Sequence, residues 1–136
     1  MPLKELNWVR LIRFSLVGIT GFLVDAAVLY AAIYLLDIPA LASRLIAFSC
    51  AATTTWFGNR VYTFRDRPRS GRIMQWRRFL VAAVISAIPN LLVFQVVLSL
   101  LGESALHYLL ALITGISAGM LSNYCLCNRF VFPEVE

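Results

Sequence analysis

The chain has 136 residues, of which 60% are hydrophobic and only 14% are charged. A soluble domain of this size does not keep such a balance in water, so the composition excludes a soluble globular protein and indicates one that has the lipid bilayer as its solvent. The formal net charge is +5. Because the basic residues adjoin the apolar stretches, this charge predicts contact with anionic lipid headgroups and argues against a nucleic-acid partner.

Four apolar stretches follow one another along the chain. Each is long enough to cross the roughly 30 Å hydrocarbon core as a helix, which takes about 20 residues. They predict an all-α membrane protein with four transmembrane helices, forming one domain over residues 1–136. The first stretch is too long for the core of a signal peptide, so we expect it to be retained. The predicted spans are about 14–36, 40–62, 79–101 and 105–127.

The basic residues predict how these spans are oriented. Apart from Arg44 they lie at the N-terminus, in the middle loop and at the end of the last span, whereas the links Asp37-Ile38-Pro39 and Gly102-Glu103-Ser104 carry none. By the positive-inside rule, both termini and the central loop face the cytoplasm, and we expect the protein in the cytoplasmic (inner) membrane. Apolar residues at helical spacing in the central loop, Arg65 to Arg78, predict a short interfacial helix before the third span.

The two halves of the chain are similar. At an offset of 65 residues, Arg78-Phe79 falls on Arg13-Phe14 and Asn90 falls on Asp25. Towards the ends of the halves the offset grows by about one helical turn, and Asn59-Arg60 is then matched with Asn128-Arg129. Because both halves start on the same side of the membrane, the pattern predicts two helical hairpins related as a parallel repeat.

Two ionisable residues lie inside predicted spans. An ionised carboxylate at the position of Asp25, mid-span, costs about 2.5 to 3.5 kcal/mol even on a permissive insertion scale, so Asp25 should face protein or water. Arg44 lies about 9 Å nearer the external surface, within partial reach of a direct or water-bridged pair. The pair either fastens the first two helices, with Arg44 snorkelling outward, or binds an anionic headgroup, with Arg44 on a phosphate and Asp25 on a sugar hydroxyl or a proton. Asn90 is the neutral counterpart of Asp25.

Four arginines lie at helix ends on the cytoplasmic side. Interfacial anchoring explains each one singly, whereas a cluster would attract phosphate. Asn59, one residue before Arg60, is placed to bind backbone carbonyls or sugar hydroxyls. These arginines are Arg13, Arg60, Arg78 and Arg129.

The remaining motifs predict packing and no catalysis. Gly115 and Gly119 form a GxxxG pair of the kind that brings membrane helices close together. No Ser-His-Asp set, paired carboxylates or glycine-rich phosphate loop is found, so we expect no catalytic residue and no enzyme activity. The three cysteines have no neighbouring His, Asp or Glu, and no metal or cofactor is predicted.

The motifs together resemble the GtrA-like family over nearly the whole chain. The similar segments are Arg13-Phe14 with Val17-Gly18, Asp25, Ser43-Arg44-Leu45-Ile46, Asn59-Arg60-Val61-Tyr62-Thr63-Phe64, Arg78-Phe79 and Arg129-Phe130-Val131-Phe132. The resemblance implies a small four-span protein that works with undecaprenyl-phosphate-linked sugars in surface polysaccharide synthesis. It points to Asp25, Arg44, Asn59 and Arg60 as site residues, with Arg13 and Arg78 next.

Three functions remain open at this level. As a transporter, the protein would flip a polyprenyl-phosphate sugar lipid across the membrane, and a homodimer enclosing the path is plausible because four helices leave little room. As a scaffold, it would anchor or recruit a membrane glycosyltransferase without transport. A small multidrug exporter fits the size and the span count, but neither the central loop nor the repeated Arg-Phe starts. The resemblance favours the first of these.

Overall fold

A computed structural model describes residues 7–68, 71–102 and 104–134, and in these residues the secondary structure is entirely helical. Glu103 of the second predicted external turn and residues 69–70 of the central loop lie outside the described residues. Two of the α-helices continue into five-residue π-helical segments, which we call π1 and π2. The elements are α1 (Trp8–Tyr34), α2 (Ala40–Gly58), π1 (Asn59–Thr63), α3 (Arg72–Leu101), α4 (Ala105–Leu126) and π2 (Cys127–Val131).

Three helices in the described part of the chain are long and apolar enough to cross a membrane: Trp8–Tyr34, Arg72–Leu101 and Ala105–Val131. The second predicted span is not among them. It contains α2, which carries Arg44 and a run of three threonines. Each threonine hydroxyl donates to a backbone carbonyl one turn earlier at 2.8 Å, which satisfies the donor where no water is available.

The third helix is longer than predicted at its start. It begins at Arg72, is 30 residues long and continues through Pro89 without a break. The apolar residues Ile73 and Trp76, from which a separate interfacial helix was predicted, therefore lie in the first turns of α3, and that prediction is wrong. The N-cap residue is Gly71, and no break separates the first turns from the apolar stretch. The helical spacing that predicted a short helix thus belongs to the start of the long one.

The chain divides into two compact units, Met1–Arg67 and Pro68–Glu136. In the first unit α1 packs on α2 and on π1. Phe14 of α1 meets the buried Phe64, which follows π1, edge to face with ring centroids 6.4 Å apart. The T-shaped geometry is one that aromatic pairs prefer, and it fixes the end of π1 against α1.

In the second unit α3 packs closely on α4. A Cβ atom at Gly115 would lie 2.8 Å from both the backbone oxygen and Oδ1 of Asn90, and one at Gly119 would lie 3.1 Å from the backbone oxygen of Ser86. Only hydrogen fits in these gaps. The close packing predicted from the GxxxG pair is therefore confirmed within this unit.

The repeat is visible in the buried positions of the first helix of each unit. Phe14 and Phe79 are both buried, as are Val17 and Ala82, and each pair is 65 positions apart. The offset predicted from the sequence thus holds for α1 and α3.

A different offset relates the second helix of each unit. Ser43 and Ala111 are both fully buried at an offset of 68, and π1 and π2 follow at that same offset. Each π segment is closed by a buried phenylalanine whose N–H donates at 2.8 Å to the carbonyl of the segment's first residue. Asn59 consequently corresponds to Cys127, and Arg129 to Val61. The predicted match of Asn59-Arg60 with Asn128-Arg129 is off by one residue, because burial of the phenylalanine sets the register.

The glycine contacts give a stability prediction. Gly115→Ala and Gly119→Ala should each lower the free energy of unfolding by about 1–3 kcal/mol, because the added methyl meets backbone oxygen that cannot rotate away. Gly18→Ala is the matched control, since its Cβ would have no neighbour within 4 Å. Alanine there should be neutral or stabilising by up to about 1 kcal/mol. Denaturation by sodium dodecyl sulphate, followed by circular dichroism, measures the difference, and equal effects at all three sites would contradict the packing.

Candidate functional site

Asp25 of α1 and Arg44 of α2 form a direct ion pair. Nη1 of Arg44 donates to Oδ2 of Asp25 at 2.5 Å. The Asp25 side chain is 19% exposed and the Arg44 side chain is 55% exposed. The arginine is therefore the more accessible partner of the pair. Of the two geometries predicted for these residues, direct and water-bridged, the structure has the direct one.

The pair leaves binding capacity on both partners. Oδ1 of Asp25 is buried and has no hydrogen-bond partner among the described residues. A guanidinium carries five N–H donors, and the donors that do not face Asp25 can take a phosphate oxygen while the pair stays intact. The pair thus offers a cation for an anionic group beside an acceptor for a hydroxyl.

A second group of polar atoms lies where α2 passes into π1. Asn59 is 2% exposed and Thr63 is 1% exposed. Oδ1 of Asn59, Oγ1 of Thr63 and Nε1 of Trp56 are buried without a hydrogen-bond partner in the part of the chain that the structure describes. Buried polar atoms are nearly always paired, and π-helical turns are frequent at functional sites, so each of these atoms is a candidate partner for a hydroxyl or a water. Trp56 and Thr63 were missed by the sequence analysis.

Three arginines near π1 lie over aromatic rings. The guanidinium carbon of Arg13 is 5.3 Å from the centroid of Tyr62, and that of Arg60 is 5.8 Å from the centroid of Trp56. These cation–π contacts hold both predicted arginines at the end of the first unit. Arg10, which was not predicted, lies 5.7 Å from the centroid of Phe64 and also pairs with Asp66 at 2.7 Å.

Three arginines of the second unit, Arg77, Arg78 and Arg129, line an open groove of about 730 Å³ between α3 and π2. Arg78 and Arg129 were predicted, and Arg77 is new. Their assembly with Arg13 and Arg60 of the first unit into one ring stays a prediction.

Asn90 has a different environment from Asp25. It is half-buried at the crossing of α3 and α4, where its side chain fills the space left by Gly115 and Gly119. The two positions match in sequence, but among the described residues Asp25 has an ion pair and Asn90 has none. Within its own unit, Asn90 is therefore a packing residue.

Helices of this length and apolarity define an integral membrane protein. The chain belongs to the GtrA/DPMS transmembrane domain family, which it matches over residues 13–132. This confirms the resemblance drawn from the motifs. The chain is also similar to a dolichol-phosphate mannosyltransferase of Pyrococcus furiosus, with 30% identity over 122 residues. That match covers 90% of this chain and 33% of the relative, so the chain spans about a third of the relative's length.

Proposed function

We propose that this protein moves a polyprenyl-phosphate-linked sugar across the cytoplasmic membrane and is not itself an enzyme. The observation that carries the proposal is the Asp25–Arg44 pair inside the helices, with its exposed guanidinium and a buried carboxylate oxygen that no described residue hydrogen-bonds. Intramembrane charges are costly, and they commonly mark a substrate path. Family membership and the similarity to a dolichol-phosphate mannosyltransferase support a lipid-linked sugar as the ligand.

In the proposed mechanism Arg44 holds the phosphate of the lipid and Oδ1 of Asp25 accepts a hydrogen bond from a sugar hydroxyl. The isoprenoid tail stays in the bilayer, where it costs nothing to solvate. Asn59 and Thr63 supply a second acceptor site for hydroxyls at the opposite end of α2 from Arg44. A sugar that passes from one set to the other keeps its hydroxyls bonded, which lowers the barrier to crossing the apolar core.

The proposed topology has four spans arranged as two hairpins in parallel repeat within one domain, with both termini in the cytoplasm. The second span is then α2 with π1, residues 40–63, which is long enough to cross although it is less apolar than the others. Its polarity fits a helix that faces a path instead of lipid. We also propose a homodimer, since one chain of this size has little interior, with anionic lipids bound at the arginine-rich side.

A second candidate function rests on the mannosyltransferase relative. Its name describes a transferase, and this chain matches a third of it. A protein of this kind would anchor or recruit a membrane glycosyltransferase, and the Asp25–Arg44 pair would only fasten α1 to α2. Transport then would not occur.

Reconstitution separates the two functions. A fluorescent short-chain polyprenyl-phosphate sugar is placed in liposomes with the purified chain, and its accessibility to dithionite reports transbilayer movement. We expect rapid movement with the native chain and a loss of at least about ten-fold with Arg44→Gln. Arg72→Gln, at the exposed start of α3, is the charge-matched control and should move the lipid normally. Movement no faster than in empty liposomes would favour the anchoring function.

A further inference from the structure

The groove of the second unit has a charged end and an apolar end. The α3 residues that line the groove follow one another at spacings of three and four positions, so they lie on one face of that helix. Arg77 and Arg78 lie in the second turn of α3, while Ile85 lies about two helical turns further along, roughly 11 Å deeper at 1.5 Å per residue. Leu126, at the end of α4, and Arg129, in π2, also line the groove.

We infer that this groove binds the phosphate and the first isoprene units of a polyprenyl phosphate, in a site separate from the Asp25–Arg44 pair. The inference rests on the proposed function for the isoprenoid nature of the ligand. The three arginines bind the phosphate, and Val81, Ile85, Leu126 and Phe130 contact the chain. The groove volume lies within the range of pockets that bind small molecules, about 300–1,000 Å³.

The first unit supplies an internal comparison, because it has the same fold of helix and π segment but fewer arginines at the positions equivalent to these three. At the positions of Arg77 and Arg129 it has Ile12 and Val61, and only Arg78 has a basic counterpart. The fold thus accepts apolar residues at two of the three arginine positions. Arg77 and Arg129 are therefore not needed to form the helices. That both line one groove calls for another explanation.

The state of the arginines supports an anionic ligand. Arg77, Arg78 and Arg129 have no salt bridge to an acidic side chain within the described residues, whereas Arg10 and Arg44 of the first unit each have one. Glu134 follows the groove residue Pro133 in the chain, so one acidic group lies close in sequence to three cations. The net charge of the groove is positive, and guanidinium groups bind phosphate oxygens in a bidentate manner.

The arrangement fits an amphiphile better than a free ion. The apolar side chains Val81, Ile85 and Phe130 are largely exposed in the second unit, although they adjoin three charges. A free phosphate would contact only the arginines, and an uncharged isoprenoid would contact only the apolar side chains. A lipid with one phosphate at the membrane surface and a chain directed into the bilayer covers both.

Native mass spectrometry of the full chain in detergent micelles tests the site with farnesyl phosphate as the probe. The test variant is Arg77→Ile with Arg129→Val, which installs the residues that the first unit has at these positions. We expect its affinity for farnesyl phosphate to fall at least about ten-fold. The charge-matched control, Arg65→Ile with Arg72→Val, removes two exposed arginines outside the groove and should bind within about two-fold of native.

Several outcomes would overturn the inference. These are unchanged binding by the groove variant, an equal loss in the control variant, equal binding of farnesol, or equal competition by inorganic phosphate or phosphatidylglycerol. A groove variant that binds normally but changes from dimer to monomer would instead assign the groove to a second copy of the chain. Because binding is measured without transport, the groove can fail while liposome transport through Asp25 and Arg44 succeeds, and the reverse also holds.

Discussion

Arg44→Gln should destabilise the protein more than the double substitution Asp25→Asn with Arg44→Gln. The single change leaves the Asp25 carboxylate, 19% exposed in an apolar helix, without the cation that pairs with it. Pairs on a surface contribute about 0–1 kcal/mol, whereas breaking a buried pair costs about 3–5 kcal/mol. With one partner half-buried and one exposed, we expect a loss of about 1–3 kcal/mol. The double variant, which has no charge to leave unpaired, should lie within about 1 kcal/mol of native.

Transport by the same variants shows whether the ion pair only holds α1 against α2 or also binds the transported lipid. Asp25→Asn copies the residue at the matching position of the second unit, Asn90, so it should fold. If the pair binds the phosphosugar, the double variant regains stability but not transport. Recovery of both together would show that the pair only fastens the helices. Chemical denaturation in micelles and dithionite accessibility in liposomes supply the two measurements on one set of samples.

Asn59→Cys combined with Thr63→Val should raise the free energy of unfolding and lower the rate of transport. The changes replace two buried side chains whose oxygen atoms, Oδ1 and Oγ1, have no hydrogen-bond partner among the described residues. The new residues are those at the equivalent positions of the second unit, Cys127 and Val131. An unsatisfied buried polar group costs about 1–3 kcal/mol, so a total gain of about 2 kcal/mol is expected. The rate of transport falls because the hydrogen-bond acceptors for a sugar hydroxyl are gone. Such a trade-off between stability and activity is common.

The reverse exchange is the control. Cys127→Asn with Val131→Thr places polar groups in the fully buried positions of π2, where the sequence of the second unit has none, and should cost a similar amount of stability. A loss of stability in Asn59→Cys with Thr63→Val would contradict the prediction, since it would mean that both side chains have hydrogen-bond partners in the folded protein.

Helix type and the charged residues could be read from the sequence because the bilayer makes them conspicuous. Asp25 and Arg44 stand out in apolar surroundings, and the structure joins them directly. Gly115 and Gly119 show their role by spacing alone, since small residues four apart lie on one face of a helix. These features depend on local pattern and need no knowledge of register.

The π segments could not be predicted, because a π turn has no composition of its own. It appears where tertiary packing, here of Phe64 and Phe132, draws the chain one residue out of α-helical register. Asn59 therefore looked like a rim residue in the sequence and is buried in the structure. Arg77 was missed for a related reason: with the third span predicted from residue 79, it seemed to belong to a loop, whereas α3 begins at Arg72.

The contrast between the two units has a practical consequence for the solvent in which the protein is handled. In the first unit the contact between α1 and α2 includes an electrostatic pair, which weakens when water enters a thin or loose detergent micelle and raises the local dielectric constant. In the second unit α3 and α4 meet through glycine and backbone oxygen, contacts that depend on shape. Detergent chain length and salt should therefore loosen the first pair of helices selectively, and hydrogen exchange compared between nanodiscs and short-chain micelles would record the difference.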